Sequence, residues 1–576
     1  MYKIRKMFES VGARVMLLGV SCVLLVWFYN NSMKPHDLSR VEDEVATSEE
    51  GTYAEEIATL EDRDSVRDKE DVCFVPVINI DLNGVTLEEI NANSKNIKYG
   101  GNGMSVSVPS GEYFYENVQI KGRGNATWGW KKKPYQITLP EEIDLFGLGA
   151  AKKWVLLANY RDVSLLRNAS ALYLAENLGE EDIRAGIFVE LYVDHSYVGL
   201  YYMTHKVEIG HSVVDLSDEM GVLVEIEAVR EPDDIHGYSQ YGNICVVLKE
   251  AVEDDHEFHR QAALDSFMEA LDRLEAAAIR GDWTAVQKEI DVDSFVRYFL
   301  ISEFSANPDA FATSFYMHRD GMSDVIHAGP IWDFDMAFAN PKYTSGDASS
   351  PNRSWAYADP RDLLHVQNHM AVDLFQYLMD ISEFRAEVEK QYRSVLRTTI
   401  ESLPDHLYTL EGIIRTAALR DQEEWHETST VAGDLEALIA WIKERGRYMD
   451  LLYGSRMRLE DGMYEVNSSK CLLGSWCLEQ KKDGSYQISD PHTGRVLSME
   501  EEGSIEEYEP VVWKEDSASQ GQRWILASHE NGVVILSKLT GLALTFEEDS
   551  GEMNVQEFLN NDHQILQLMP IYNENK

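Results

Sequence analysis

Two acidic residues in an apolar setting are the part of the sequence best suited to chemistry. Asp333 and Asp335 stand two positions apart within residues 330–338, where the other residues are mostly apolar or aromatic. In an extended segment, residues i and i+2 point to the same face, so the two carboxylates would converge. Carboxylates of this kind hold Mg²⁺, usually together with substrate phosphates. The alternative is a surface turn or strand end with solvated acids.

A basic segment far upstream carries charge of the opposite sign. It begins at Arg123 and ends with Lys131, Lys132 and Lys133, directly before a proline and a strand-like run. The planar guanidinium of Arg123 suits phosphate oxygens, and a lysine that leads into a strand could be fixed in a cleft. The glycines of the segment permit close backbone approach. The alternative is a solvated lysine patch beside tryptophans that belong to the core.

Phosphoryl transfer is the reaction that such parts could support together. It requires cations on the phosphates, Mg²⁺ on carboxylates and a carboxylate placed against the acceptor hydroxyl. Asn307-Pro308-Asp309, upstream of the acidic pair, offers the additional carboxylate.

As a set, these segments resemble the spore-coat CotH kinase family. The matching pieces occur in the order found in the family, over roughly residues 75–454. They are Arg123–Trp128 with Lys132–Tyr135, Trp154–Asn168, Gly199–Thr204, Asn307–Tyr316 and Trp332–Asp335. Each piece alone is unspecific, and their combination and order make the resemblance specific.

The resemblance implies an atypical protein kinase fold that uses ATP and a divalent metal, Mg²⁺. By position, Asp309 takes the place of the catalytic-loop aspartate, and Asp333 that of the metal-binding aspartate. Lys133, or less firmly Lys132, takes the place of the lysine that contacts the nucleotide. The other residues implied at the cofactor site are Arg123, Asn125 and Arg167, and those at the metal site are Asp335 and Ser314.

Two departures from the family pattern keep a second interpretation open. Ser314 follows Asp309 by five residues, where a metal-binding Asn would be more usual, and a hydroxyl is a poorer Mg²⁺ ligand than an amide oxygen. His205 stands where a Glu normally follows the Gly-x-Tyr hairpin. A catalytically silent surface or coat protein that docks partners is therefore the alternative to an enzyme.

A third motif imitates a catalytic loop. The triplet His318-Arg319-Asp320 is spelled like the catalytic loop of eukaryotic kinases, but position 325 is Val where that loop would need Asn. We expect Asp320 to be a turn acid.

The surrounding pattern predicts an α+β fold with two lobes and a cleft between them. Alternating apolar residues predict strands from Phe74 to Ile226, and helical periodicity dominates after Asp255. Ser164 reads as the N-cap of a helix that extends through Leu178. Residues 374–400 and 410–452 read as long helices, so the acidic motifs lie at the junction of the two halves.

The domain organisation predicted from composition has four parts. Residues 1–33 carry basic residues followed by an apolar run, which predicts a membrane anchor that leaves the rest of the chain outside the cell. A cleaved signal peptide is the alternative. Residues 34–71 are acidic and poor in large apolar residues, which is typical of a flexible stalk. Residues 72–455 form the kinase-like domain, and residues 456–576 form a small all-β domain.

The C-terminal region shows an internal repeat. Its two similar segments have glycines, Gly494 and Gly541, that are 47 residues apart. Gln522-Arg523-Trp524 is similar to the Gln-x-Trp motif of ricin-type β-trefoil modules, and the second unit offers only Gln564-Ile565-Leu566. The resemblance covers a partial, degenerate trefoil. Glycan binding is one interpretation of this module, and an all-β spacer or docking module is the other.

Composition restricts the partners. The formal net charge of −47 over 576 residues argues against nucleic acid, since phosphate-backbone binding requires clustered Lys and Arg. The five cysteines form no zinc pattern, and Cys471 and Cys477 either close a small loop or remain reduced. The overall prediction is a membrane-anchored kinase that transfers the ATP γ-phosphate to Ser or Thr of secreted, surface or spore-coat proteins.

Overall fold

The computed structural model describes residues 74–571, apart from eight short segments. These segments are 183–184, 228–233, 254–255, 344–349, 353–370, 426–430, 500–508 and 548–549. The predicted anchor (1–33) and acidic stalk (34–71) therefore lie outside the described residues. Within the described part of the chain, none of the helices combines the length and the apolar character needed to span a membrane.

A closed barrel of seven strands forms the first part of the fold. The strands are β1 (Val77–Asp81), β2 (Tyr99–Val108), β3 (Gly111–Gly122), β4 (Tyr135–Asp144), β5 (Ala150–Leu157), β6 (Ile187–Val193) and β7 (Ser196–His205), and the short helix α1 (Leu87–Ala92) follows β1. They pair in the order β1-β2-β3-β4-β5-β7-β6, and the parallel pairing of β1 with β6 closes the barrel. Alternate residues such as Ile120, Ile137 and Trp154 fill its interior. Strands β6 and β7 form a hairpin that turns at Asp194 and His195.

A second sheet combines strands from both halves of the sequence. Its strands are β8 (Val222–Ile226), β9 (His236–Tyr238), β10 (Cys245–Ala251), β11 (Phe315–Arg319) and β12 (His327–Ala328), in the order β12-β11-β8-β10-β9. The last two strands lie in the half that was predicted to be helical. Because Asp309 precedes β11 and Asp333 follows β12, this sheet brings both residues to its edge.

The helices surround the second sheet. They are α2 (Arg167–Asn177), α3 (Glu257–Arg280), α4 (Trp283–Val286), α5 (Val292–Ser305), α6 (Val372–Asp380), α7 (Ser382–Gln391), α8 (Arg397–Trp425) and α9 (Val431–Met449). The continuous helix predicted over 374–400 is wrong. Ile381, buried and with an extended backbone (φ −79°, ψ 120°), separates α6 from α7, and a π-helical turn follows at Tyr392–Leu396.

The predicted helix cap at Ser164 is also wrong. Helix α2 begins at Arg167 with Leu166 as its N-cap. The Ser164 hydroxyl lies in the preceding turn, where it donates to Asp162 Oδ1 at 2.6 Å and accepts from the Leu166 amide at 3.2 Å. Ser164 therefore stabilises the turn ahead of the helix and not the helix end itself.

Helix α8 fastens the helical half to the barrel. Asp421 on α8 accepts a hydrogen bond from the Leu200 amide of β7 at 2.7 Å. The neighbouring Gly199 has φ +147°, and a Cβ there would lie 2.7 Å from the Asp421 carboxylate. The close approach of α8 thus explains the glycine at this position.

The C-terminal part is all-β. Its strands are β13 (Gly462–Asn467), β14 (Leu472–Gln480), β15 (Tyr486–Ser489), β16 (Val496–Met499), β17 (Glu509–Lys514), β18 (Trp524–His529), β19 (Gly532–Ser537), β20 (Ala543–Phe546), β21 (Met553–Gln556) and β22 (Ile565–Pro570). Six of them pair in the closed ring β14-β13-β22-β19-β18-β15. Strands β16 and β17 lie between β15 and β18 in the chain, and β20 and β21 lie between β19 and β22. Cys471 and Cys477, in this part, are free thiols.

The internal repeat predicted for this part has a structural counterpart. The Gln522 side chain accepts from the amide five residues earlier at 2.9 Å and donates to the carbonyl seven residues earlier at 2.9 Å. The Gln564 side chain makes the same two bonds at the same offsets, at 2.7 and 2.6 Å. Gly494 and Gly541 both have positive φ, 70° and 72°. The two units therefore have equivalent turns and equivalent buried glutamines.

The all-β part shares a hydrophobic core with the helices. The described residues from Phe74 onward form one compact unit. The largest apolar cluster extends from the helices into Ile525, Ala527 and Val534. The hydroxyl of Tyr448 on α9 donates to the Gly541 carbonyl at 2.9 Å. The region predicted to be a separate spacer or docking module is thus packed into the rest of the fold, and the boundary at residue 456 stays a prediction.

Candidate functional site

Three of the predicted acidic residues come together at the edge of the second sheet. Asp309 lies in the turn after α5, where its carbonyl accepts from the Ala312 and Thr313 amides at 3.1 Å. The negative charge of Asp333 raises the pKa of both Asp309 and Asp335, so the carboxyl groups are within electrostatic reach of one another. The predicted convergence of these acids is therefore seen in the fold.

The backbone around these acids is strained. Several non-glycine residues here have left-handed φ values: Ala306 (47°), Phe311 (67°), Ser314 (55°), Asp333 (65°) and Phe338 (53°). Such conformations are uncommon for residues with a Cβ and cost free energy. They cluster at functional sites, where the surrounding structure holds them in place. The cluster of strained residues marks the same location as the acidic groups.

Polar side chains hold the segment that carries Asp333 and Asp335. The Asn168 side-chain oxygen accepts from the Phe334 amide at 2.8 Å. Asn340 donates to the Asp335 carbonyl at 2.7 Å, and the Tyr343 hydroxyl donates to Asp335 Oδ2 at 3.3 Å. These contacts fix the backbone between the two aspartates and thereby the direction of both side chains.

Burial and repulsion shift the titration of the acids. Burial raises the pKa of Asp309 to about 7, and the charges of Asp333 and Glu227 add to that effect. Burial also raises the pKa of Asp335 well above its ordinary value, with Asp333 as the next contributor. Burial raises the pKa of Asp333 too, although Arg123 and a hydrogen bond with Asp335 act against it. Asp333 is nevertheless exposed to solvent.

Arg123 is the cation that faces the acids. Its guanidinium carbon lies 5.2 Å from the centroid of the Trp332 ring. Burial lowers the pKa of Arg123, and the charge of Asp333 is the largest effect that opposes this. The predicted cofactor-binding arginine thus stands opposite the predicted metal-binding aspartate.

Sequence reasoning missed two further acids beside this cluster. Glu225 is buried on β8 and pairs with Lys249 at 2.6 Å. Glu227 follows β8 and accepts from Thr313 Oγ1 at 3.0 Å, and burial together with Glu225 raises its pKa to about 7. The pairing of Phe315 with Ile226 sets Glu227 next to Ser314. The sequence signal that could have indicated this part of the site was Glu225, an acid within the otherwise apolar run Val222–Ile226.

Lys132 does not belong to the site, which corrects the prediction that it contacts the cofactor. Its side chain is 1% exposed and pairs with Asp421 at 2.8 Å. Its ammonium also donates to the Leu200 carbonyl at 2.6 Å. Lys132 therefore serves the attachment of α8 to the barrel, where its charge is matched.

Lys133 is half-buried and held by its own loop. Its ammonium donates to the Trp128 carbonyl and lies 4.6 Å from the centroid of the Trp128 ring. Burial lowers the pKa of Lys133. Among the residues that the structure describes, no ion pair joins Lys133 to an acidic group.

Arg167 does not reach the cluster either, contrary to its predicted role in cofactor binding. It is 2% exposed and pairs with Asp162 at 2.5 Å and with Asp434 at 2.7 Å. Asn125 is exposed and accepts from the Lys95 ammonium at 2.5 Å. Arg167 thus joins α2 to α9, and Asn125 belongs to the surface of the Arg123 loop.

His205 and Asp320 lie outside the cluster. His205 is 1% exposed and packs on Trp154 with 4.5 Å between ring centroids. Asp320 occupies the bend after β11 and accepts from the Ser217 and Asp218 amides at 2.8 and 2.7 Å. The expectation of a turn acid at Asp320 is confirmed.

The donor chemistry of the site fits Mg²⁺. Asp333 and Asp335 offer adjacent carboxylate oxygens, and Mg²⁺ is usually bound through one or two carboxylates together with substrate phosphates and water. Over the described ranges, no group of three or more His, Cys, Asp or Glu side chains is arranged to hold a metal ion. The site thus offers a pair of ligands that a phosphate would complete.

Residues 119–449 match the family described as CotH kinase protein. Inner spore coat protein H of Bacillus subtilis (strain 168) is 22% identical over 346 residues, which cover 58% of this chain and 86% of that protein.

Solved structures match only about a fifth of the chain. A designed three-fold symmetric protein, ThreeFoil, is 20% identical over 19% of this chain and all of its own length, with a TM-score of 0.17. An exo-β-1,3-galactanase from Clostridium thermocellum is 15% identical over 20% of this chain and 31% of its own length, with a TM-score of 0.18. A Polyporus squamosus lectin is 16% identical over 20% of this chain and 50% of its own length, with a TM-score of 0.17. TM-scores this low support no argument about fold or ligand.

Proposed function

The chain belongs to the CotH kinase family, and on that premise we propose that it is an atypical protein kinase that uses ATP and Mg²⁺. The observation that carries the proposal is the position of Arg123 opposite Asp333, with Asp309 beside them. A cation for phosphate oxygens, a carboxylate for the metal and a carboxylate for the acceptor hydroxyl are the parts that phosphoryl transfer needs.

Each residue has a role in this proposal. Asp333 and Asp335 would hold Mg²⁺, which neutralises charge on the phosphates when it is bound. Arg123 binds and orients phosphate oxygens through its planar fork. Asp309 accepts the proton of a Ser or Thr hydroxyl as that oxygen forms a bond to the γ-phosphorus, and the bond to the ADP oxygen breaks. A base with a pKa near 7 suits this role at neutral pH.

The finer fold assignments belong to the same proposal. We infer that the barrel forms one lobe of a kinase-like fold, and that the second sheet with its helices forms the other. We also infer that the C-terminal part is an incomplete β-trefoil. The closed ring of six strands, the two inserted strand pairs and the equivalent glutamines support this inference. The unit formed by β13 and β14 lacks an inserted pair, because residues 468–471 connect these strands directly.

Location and partners are proposed from the relative and from the sequence. Because the similar protein of Bacillus subtilis is named an inner spore coat protein, we place this chain at a coat or cell surface and propose secreted, surface or coat proteins as its substrates. Membrane attachment through residues 1–33 is part of this proposal, and glycan binding by the C-terminal part is its least supported element. Binding of labelled oligosaccharides to the purified protein tests the latter.

The test of the enzymatic proposal uses residues 72–576 with Mg²⁺ and γ-labelled ATP. We expect the label to be transferred to the protein itself or to added coat proteins. The substitutions Asp333→Asn and Asp309→Asn should abolish transfer. Asp320→Asn is the matched control, because this bend acid lies outside the cluster, and it should retain transfer. Absence of both transfer and thermal stabilisation by Mg²⁺-ATP in the unsubstituted protein would contradict the proposal.

A catalytically silent binding protein is the second candidate function. Ser314 favours it, since a hydroxyl stands where an amide ligand of the metal would be more usual. Stabilisation of the protein by Mg²⁺-ATP without any label transfer would support this candidate. Transfer that Asp309→Asn abolishes would exclude it.

A further inference from the structure

Lys121 is a cation on the outer face of the barrel that the roles above do not use. Side chains alternate along a strand, and Val118 and Ile120 of β3 point into the barrel core. Lys121 and Arg123 therefore share the opposite, outer face. Arg123 continues this edge beyond the end of β3, because its amide bonds the Pro134 carbonyl at 3.2 Å. Arg123, which faces the acids, and Lys121 thus lie one after the other along one edge of the site.

The charges that shift the pKa of Lys121 most are positive. Burial lowers the pKa of Lys121, and Lys98, Lys206, Arg123 and Lys153 lower it further. Two of these neighbours have acidic partners of their own. Lys153 pairs with Glu208, and Lys206 lies 2.7 Å from Glu250.

Lys121 differs from these two lysines. No ion pair joins its ammonium to a carboxylate among the residues that the structure describes. It is half-buried, and a cation that is partly removed from water and surrounded by like charge raises the free energy of the folded protein. In a chain with a net charge of −47, so many cations on one face are not a consequence of composition. A bound anion would remove the cost.

We propose that Lys121 binds a phosphate oxygen of the nucleotide next to the one bound by Arg123, so that it selects for polyphosphates. This inference rests on the proposed function. Residues two positions apart on a strand are separated by about 7 Å, so two long cationic side chains there can reach successive phosphates of one chain. An acidic peptide of the protein substrate is the other anion that could bind, and the experiment below distinguishes the two.

The test compares the full chain, purified in mild detergent, with Lys121→Gln and with the control Lys131→Gln. Lys131 is exposed and lies ten residues further along the chain, so the control removes the same charge at a different place. Affinities for adenosine, ATP and inorganic tripolyphosphate are measured by calorimetry, and melting is followed by circular dichroism. Label transfer to an acidic peptide is measured in parallel.

We expect Lys121→Gln to weaken ATP and tripolyphosphate binding roughly three- to tenfold, as for loss of one charge-assisted hydrogen bond in a half-exposed site. Adenosine binding should not change, and Lys131→Gln should change neither. The unliganded Lys121→Gln protein should melt at the same or a higher temperature than the parent, because repulsion is relieved. A merely structural lysine would instead lower the melting temperature.

Three results would overturn the inference. The first is an unchanged ATP affinity in Lys121→Gln. The second is an equal loss for adenosine and ATP, which would indicate general distortion. The third is a raised KM for the acidic peptide with unchanged ATP affinity, which would assign Lys121 to the peptide. Failure of the proposed function would give a different result from these three. The unsubstituted protein would then bind tripolyphosphate through the cationic face as tightly as it binds ATP.

Discussion

Replacement of Asp309 by Asn should stabilise the protein, and by more at high pH than at low pH. Burial and the charges of Asp333 and Glu227 raise the pKa of Asp309 to about 7. The folded protein therefore holds this proton more tightly than the unfolded chain does. Stability is then lost as the pH rises from about 4, where the unfolded chain ionises, to about 7, where the folded protein ionises. Asn does not ionise in this pH range, so the stability of the variant does not fall in this way.

The size of the effect follows from the shift. A pKa raised from 3.8 to about 7 corresponds to roughly 4 kcal/mol once both states are ionised, because one pKa unit is worth about 1.4 kcal/mol. At pH 5.5 only the unfolded chain has ionised, and the same linkage gives roughly 2 kcal/mol. Asp309 is only partly buried, and contact with water reduces such penalties, so we expect the variant to gain about 2 kcal/mol at pH 8 and about 1 kcal/mol at pH 5.5.

Urea denaturation of residues 72–576 between pH 5 and pH 8 measures this gain. Asp320→Asn is the control of opposite sign. Burial raises the pKa of Asp320, but hydrogen bonds from the Asp218 and Ser217 amides outweigh burial and leave that pKa lowered. Asp320→Asn should therefore lose stability above pH 4. A gap between Asp309→Asn and the parent that stays constant from pH 5 to pH 8 would refute the reasoning.

Three further predictions concern the packing around the site. Asn168→Ala removes the acceptor of the Phe334 amide and should cost about 1–3 kcal/mol of stability in thermal melts, together with label transfer. Gly199→Ala should cost about 2 kcal/mol or more because its Cβ meets α8, while Gly210→Ala, with open space around it, should change the melting temperature little. A chain that ends at Gly454 should expose the shared core and bind the dye ANS, and a cooperative melt of that fragment without ANS binding would contradict the shared core.

The sequence was sufficient to predict those parts of the fold and the site that depend on short-range residue patterns. Strand alternation located the barrel strands, and two aspartates spaced i, i+2 in an apolar run located the acidic cluster. The expectation that Arg123 and the two aspartates belong to one site came from chemistry and family resemblance together. Each of these depends on residue types whose preference for a place in the fold is strong.

Other features depended on contacts between distant parts of the chain. Lys132 could not be separated from Lys133 by sequence, because its partner Asp421 is 289 positions away. Glu227 carried no signal beyond one acid at the end of an apolar strand. Ile525 and Ala527 look like residues of a module's own core, and only the structure shows that they pack on the helices. The break at Ile381 is likewise decided by the burial of one side chain.

The common core of the helices and the all-β part has a mechanical consequence. Helix α9 contacts the all-β part through Tyr448. One turn earlier on the same helix, Arg445 donates to the Phe304 carbonyl at the end of α5. The loop that carries Asp309 follows α5 directly. If the proposed function holds, a partner bound by the all-β part would lie at a fixed distance and angle from the acidic cluster. The separation between the two surfaces would then work as a ruler, and the acceptor would be chosen by its position along the bound partner as well as by its own sequence.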